Sequence, residues 1–202
     1  MTWWYLARAA GVVMLVCFTF AVCLGALGSV RVDPLDPDAR ERRLLTQYLH
    51  RAVAVTGMLL ILVHATAIVV DGKSGVSVSG VLIPLTAGYR PVAVALGTLS
   101  AYLFVFVAVA GASRRLVARS VRGARAWRVL HGASYLAWAT SVLHGLLAGT
   151  DAGTVWMTAI TLACLAAVAV CVAIRLRSQA LSRRRPLAVA RHDLAQLTGS
   201  HS

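Results

Sequence analysis

The sequence has 202 residues, 59% of them hydrophobic and only 13% charged, with a formal net charge of +13. Its apolar residues gather in blocks long enough to cross a hydrocarbon core as helices, which excludes an ordinary soluble domain with amphipathic stripes. The two-residue alternation of a membrane β-barrel is absent, so the fold class is an all-α integral membrane bundle of about five transmembrane helices.

The first predicted span is Trp3–Leu27. It lacks the basic start of a secretory signal, its apolar run is too long for one, and an arginine-rich stop follows, so it reads as a retained helix. The second, Leu44–Val70, contains HRAVAVTGMLLILVH, with His50 and His64 fourteen residues apart. The loop Asp71–Arg90 carries VSVSGVLIPLTAGYR, which reads as a re-entrant or interfacial cap. Pro91–Ala112 is the third span. Trp127–Leu147 is the fourth, with His131 and His144 thirteen residues apart in RVLHGASYLAWATSVLHGLL. Thr154–Ile174 is the fifth. Residues 1–177 thus form one membrane domain, and 178–202 a basic tail read as part amphipathic helix and part disorder. Cys17, Cys23, Cys164 and Cys171 all lie inside apolar runs and read as small buried hydrophobes. No internal repeat is evident beyond the likeness of the two histidine helices.

The charge sorts by loop. Arg31, Arg40, Arg42, Arg43 and Arg51 lie around the first connection, and Arg114, Arg115, Arg119, Arg122, Arg125 and Arg128 around the third. Arg175, Arg177, Arg183, Arg184, Arg185 and Arg191 follow the last span. Only Arg8, Lys73 and Arg90 fall on the opposite side, so seventeen of twenty basic residues share one face. By the positive-inside rule that face is cytoplasmic. The expected location is the cell (plasma) membrane, multi-pass, with the N-terminus outside and the C-terminus in the cytoplasm. The arginines read as topology signals that touch anionic lipid, with nucleic-acid binding excluded.

Ionisable groups inside a span are costly and point to function. No Asp, Glu or Lys lies within any of the five spans, which counts against a proton relay. With both histidine helices running in the same direction, His50 and His131 fall at one depth and His64 and His144 at another, about 20 Å away. Two imidazoles make a poor zinc site, but they complete a haem iron whose equatorial ligands come from porphyrin. His50, His64, His131 and His144 are therefore the candidate metal ligands of two stacked haems.

His50, Gly57 and His64 share one stripe, because residues seven apart return to within about 20°. Gly57 would admit either porphyrin or a neighbouring helix. Thirteen residues rotate a straight helix by about 220°, so the fourth span needs a distortion, a tilt, or two approach directions. Trp138, seven residues from His131, reads as a residue between the haems or as ordinary core. Candidate propionate partners are Arg51, Arg125 and Arg128 at one end and Lys73, Tyr89 and Arg90 at the other; each also reads as a snorkelling anchor. His192 and His201 in the tail are assigned nothing.

HRAVAVTGMLLILVH followed by WRVLHGASYLAWATSVLHGLLAGTD resembles the ferric reductase-like transmembrane domain family, which includes NADPH oxidases, ferric reductases and the haem subunit of a bacterial methionine sulfoxide reductase. WYLARAAG and GYRPVAVALG are similar to actinobacterial members. The resemblance implies two b-type haems (haem b), with His50 and His131 on the inner and His64 and His144 on the outer. It also implies a cytoplasmic or quinol electron donor and transmembrane electron transfer to a separate flavoprotein or an extracytoplasmic acceptor. The sequence departs from the oxidases in ending 28 residues past Ile174 without a GxGxxG, and is therefore expected to work without a flavin or nicotinamide module of its own. It is then expected to be an electron-transfer (oxidoreductase) subunit. The alternatives are a quinol-handling cytochrome b of another lineage, whose PEWY loop motif is missing here, and a non-redox metal-handling membrane protein.

Overall fold

The computed structural model describes residues 2–30 and 38–199, with side chains through Ser182. Eight helices account for nearly all of it: α1 (Thr2–Leu27), α2 (Ala39–Asp71), α3 (Val78–Leu82), α4 (Pro91–Ala112), α5 (Arg114–Val117), α6 (Val121–Gly132), α7 (Ser134–Ala148) and α8 (Val155–Gly199). No strand occurs among the described residues. The protein is an all-α membrane bundle in which α1, α2, α4 and residues 155–182 of α8 are each long and apolar enough to cross a membrane.

The fourth predicted span differs from expectation. Trp127–Leu147 falls on two helices, α6 and α7, interrupted at Ala133. There the Ala133 N–H donates to Leu130 O at 3.1 Å, a tighter three-residue step, before the regular pattern resumes with Ala137 N–H to Ala133 O at 2.9 Å. No proline marks this break. The helix α8 also departs from expectation, continuing without interruption through the basic tail to Gly199.

Packing, more than water exclusion, holds helices together in lipid, so their interfaces favour small residues. Ala7, Ala10, Ala21 and Ala26 are the buried small residues of α1, which packs against α2, α7 and α8. The α4 helix packs against α6 and α7. Between these layers lies a core of Leu15, Phe18 and Val22 from α1, Phe104 from α4, Trp138 and Val142 from α7, and Val168 from α8. Phe18 and Phe104 stack with ring centres 3.7 Å apart and planes 9° from parallel.

The arginine-poor end is tied by polar contacts. Arg8 at the start of α1 pairs with Asp151 in the α7–α8 connection, its Nε donating at 2.7 Å. Arg90 donates to Leu147 O at 2.5 Å. The short α3 is capped by Ser77, whose hydroxyl accepts from Gly80 N–H at 3.2 Å. It lies against α4, where the Thr98 hydroxyl donates to Val81 O at 2.9 Å and the Tyr102 hydroxyl to Leu82 O. The predicted cap is thus a folded element of this end.

Candidate functional site: two imidazole pairs

The structure brings the four span histidines together as two pairs. His50 of α2 and His131 of α6 have ring centres 6.1 Å apart with planes at 67°. His64 of α2 and His144 of α7 have ring centres 6.3 Å apart with planes at 90°. No extended helix packing joins α2 to α6 or α7 among the described residues, so the rings face across a gap. A metal–imidazole bond is about 2.0–2.1 Å long, and a ring centre lies about 1.1 Å beyond its nitrogen. Two imidazoles on opposite sides of one metal therefore have centres about 6.3 Å apart. Both pairs match that span. Among the described residues no group of three or more His, Cys, Asp or Glu is placed to hold a bare ion, and each pair offers two ring nitrogens.

The other ring nitrogens are fixed by backbone. His50 Nδ1 bonds Ala21 O at 2.9 Å, His64 Nδ1 bonds Ala7 O at 2.8 Å, and His144 Nδ1 bonds Ala93 O at 2.7 Å. A carbonyl only accepts, so Nδ1 carries the proton and the Nε2 lone pair is left for a metal. This is the usual second contact of a metal-bound histidine.

A glycine lies one helical turn beyond each carbonyl and explains how the rings reach them. A side chain on a helix covers the turn preceding its own Cα, so a residue four positions on would shield the carbonyl. Gly11 faces His64, Gly25 faces His50, Gly97 faces His144 and Gly111 faces His131. A Cβ at Gly97 would lie 2.7 Å from His144 Nδ1 and Cε1; at Gly11 it would lie 3.3 Å from His64 Nδ1.

His131 is the exception. Its Nδ1 is buried near the Val107 carbonyl without completing a hydrogen bond. The ring stacks instead on Trp127, with centres 5.0 Å apart and planes at 15°. Trp127 Nε1–H donates to Ala110 O at 2.8 Å, and the Arg114 guanidinium lies 4.9 Å from the indole centre. Because α6 and α7 are separate helices, His131 and His144 both lie against α4, which removes the phase problem of a thirteen-residue spacing.

The other predicted residues are placed as follows. Gly57 is buried and admits Phe18: a Cβ there would meet that ring at 2.8 Å, so its close neighbour is a helix side chain. Trp138 is buried in the core between the two histidine levels, and its Nε1–H donates to Thr19 Oγ1 at 3.0 Å. Arg51, Arg125 and Arg128 are exposed. Lys73 lines a cleft of about 310 Å³ with Trp4, Tyr5 and Asp71, and Tyr89 donates to Ala148 O at 3.3 Å. The four cysteines are free thiols, with Cys164 buried in the core. Arg31 and His201 lie outside the described residues, as do the side chains of Arg183, Arg184, Arg185, Arg191 and His192.

Sequence reasoning missed the carbonyl–glycine supports, although they leave a signal. Ala7–Gly11 and Ala21–Gly25 repeat at fourteen residues on α1, as Ala93–Gly97 and Val107–Gly111 do on α4. That is the His50–His64 interval, and it is an internal repeat in the first and third spans. No family model, curated protein or solved structure matches this chain.

Proposed function

We propose that this protein is a two-haem transmembrane electron conduit, the membrane subunit of a reductase system of the ferric reductase-like transmembrane type. The observation that carries the proposal is the pair of ring separations, 6.1 and 6.3 Å, each the span of two imidazoles on one metal. When bound, a bis-imidazole haem b supplies a one-electron iron couple with no open coordination position. His50 and His131 hold one such group, and His64 and His144 the other. The carbonyls of Ala7, Ala21 and Ala93 keep three imidazoles turned with Nε2 toward the gap. Phe18, Phe104 and Trp138 pack together in the core, with Phe18 against Gly57, midway between His50 and His64 on α2. Arg51 and Arg128 at one end, and Lys73 and Arg90 at the other, are the cations offered to propionates.

The arginine-rich end faces the cytoplasm, with the N-terminus outside, so electrons from a cytoplasmic or quinol donor reach the His50/His131 level first. They leave from the His64/His144 level to a separate flavoprotein or extracytoplasmic acceptor. Metal handling without redox chemistry is less well supported, because two imidazoles alone leave zinc or copper under-coordinated.

The test is a dithionite-reduced spectrum of the purified full chain with haem counted per polypeptide. Sharp b-type α bands and two haems per chain are expected. Either His64→Leu or His144→Leu removes one haem and leaves one. A chain that binds no haem refutes the proposal.

A further inference from the structure

Three of the four imidazoles are oriented by a carbonyl, and the fourth is not. We propose that Trp127 is the positioning residue for His131, substituting a stacked indole for the missing hydrogen bond; the inference rests on the two-haem reading above.

Three contacts support it. Trp127 precedes His131 by one helical turn on α6, the spacing at which side chains overlap, and the planes are 15° from parallel at 5.0 Å. The indole is itself anchored: its Nε1–H donates to Ala110 O at 2.8 Å, one of the last carbonyls of α4, which lack helical partners. Arg114 lies over the indole at 4.9 Å, a cation–π contact that further restrains the indole. The imidazole plane is thereby held relative to α4, where Nδ1 lies near the Val107 carbonyl without completing a hydrogen bond.

Trp127 stacks on His131 alone among the four imidazoles, so its effect on ring orientation is confined to the His50/His131 level.

The readout is the low-spin ferric electron paramagnetic resonance spectrum of the purified full chain, whose g values depend on the angle between the two axial imidazole planes. In Trp127→Leu the signal of the His50/His131 haem should shift or broaden, or that haem should be lost. The signal of the His64/His144 haem, assigned by its disappearance in His144→Leu, should stay as in the parent and report that the chain is folded. Trp127→Phe keeps an aromatic ring and should leave the signal close to the parent's. Unchanged signals in Trp127→Leu overturn the proposal, as does a change or loss common to both haems, which would make Trp127 a general packing residue. Absence of haem from the parent refutes the two-haem reading itself, before any Trp127 variant is compared.

Discussion

Gly97→Ala adds one methyl group to α4, and the structure gives its consequence in ångströms. The new Cβ would lie 2.7 Å from His144 Nδ1 and Cε1 and 3.0 Å from Cγ. Carbon contacts are comfortable at about 3.5–4.0 Å, so the ring must retreat by about 0.8 Å. It has little freedom to do so, because Nδ1 is bonded to Ala93 O at 2.7 Å on the same helix. Overpacking of this kind costs about 1–3 kcal/mol, and breaking that bond strands a buried N–H at a further cost of about 1–3 kcal/mol. A ligand site tolerates about 0.5 Å of error, so the expected result is loss of the haem proposed for His64 and His144. The comparison is Gly111→Ala, the same substitution fourteen residues along the same helix. There the Cβ would lie 3.4 Å from His131 Cε1 and 3.7 Å from Nδ1, ordinary contact distances, and both haems should remain. Haem per chain, measured as the pyridine haemochrome on protein purified in parallel, gives about one for Gly97→Ala and two for Gly111→Ala. Equal haem content in the two variants, or loss in Gly111→Ala alone, would refute the carbonyl–glycine account of ligand orientation.

Three further substitutions separate the site from its scaffold. Gly57→Ala should lower thermal stability in detergent by about 1–3 kcal/mol, because the Phe18 ring it meets at 2.8 Å is stacked on Phe104; a variant as stable as the parent would show that Phe18 has room to move. Trp138→Phe removes the donor to Thr19 Oγ1 and should cost about 1 kcal/mol of stability with the haem count preserved, as melting and haem assays on one sample would register. Asp151→Asn breaks a partly exposed ion pair with Arg8, so its thermal shift should correspond to no more than about 1 kcal/mol; a larger loss would mean that the pair is shielded from solvent.

The spans were legible because lipid imposes a coarse rule on sequence: twenty or so apolar residues, then charge. The third predicted span, Pro91–Ala112, coincides with α4, and the first differs from α1 by one residue. The spacing of His50 and His64 was legible for the same reason, since nothing interrupts α2 between them. The fourth span was not, because its interruption at Ala133 lies in HGASY, a stretch without proline. One three-residue hydrogen bond there ends one helix and starts another. Gly57 was read from its position between two histidines, and its place on that stripe could not say which neighbour filled the space. The answer, Phe18, lies 39 positions away on another helix.

The hardest part to read was the support behind the ligands, because its acceptors are backbone atoms and have no letter in the sequence. A carbonyl oxygen has two lone pairs, so one can accept the regular helical N–H while the other accepts an imidazole. What limits access is the side chain four residues later, which covers that carbonyl. Removing it with glycine opens the oxygen without placing a polar side chain in lipid, where a carboxylate acceptor would carry a heavy solvation cost. Neutral support also adds no charge in lipid, and it leaves the free lone pair of His50, His64 and His144 on the ring nitrogen that does not bond the supporting helix. Four such openings, two on α1 and two on α4 at a common fourteen-residue interval, match the histidines facing them. The glycines of the first and third spans thus belong to the same pattern as the histidines of the second and fourth, and filling one should be felt most where the gap is tightest, at Gly97 against His144 and then at Gly11 against His64.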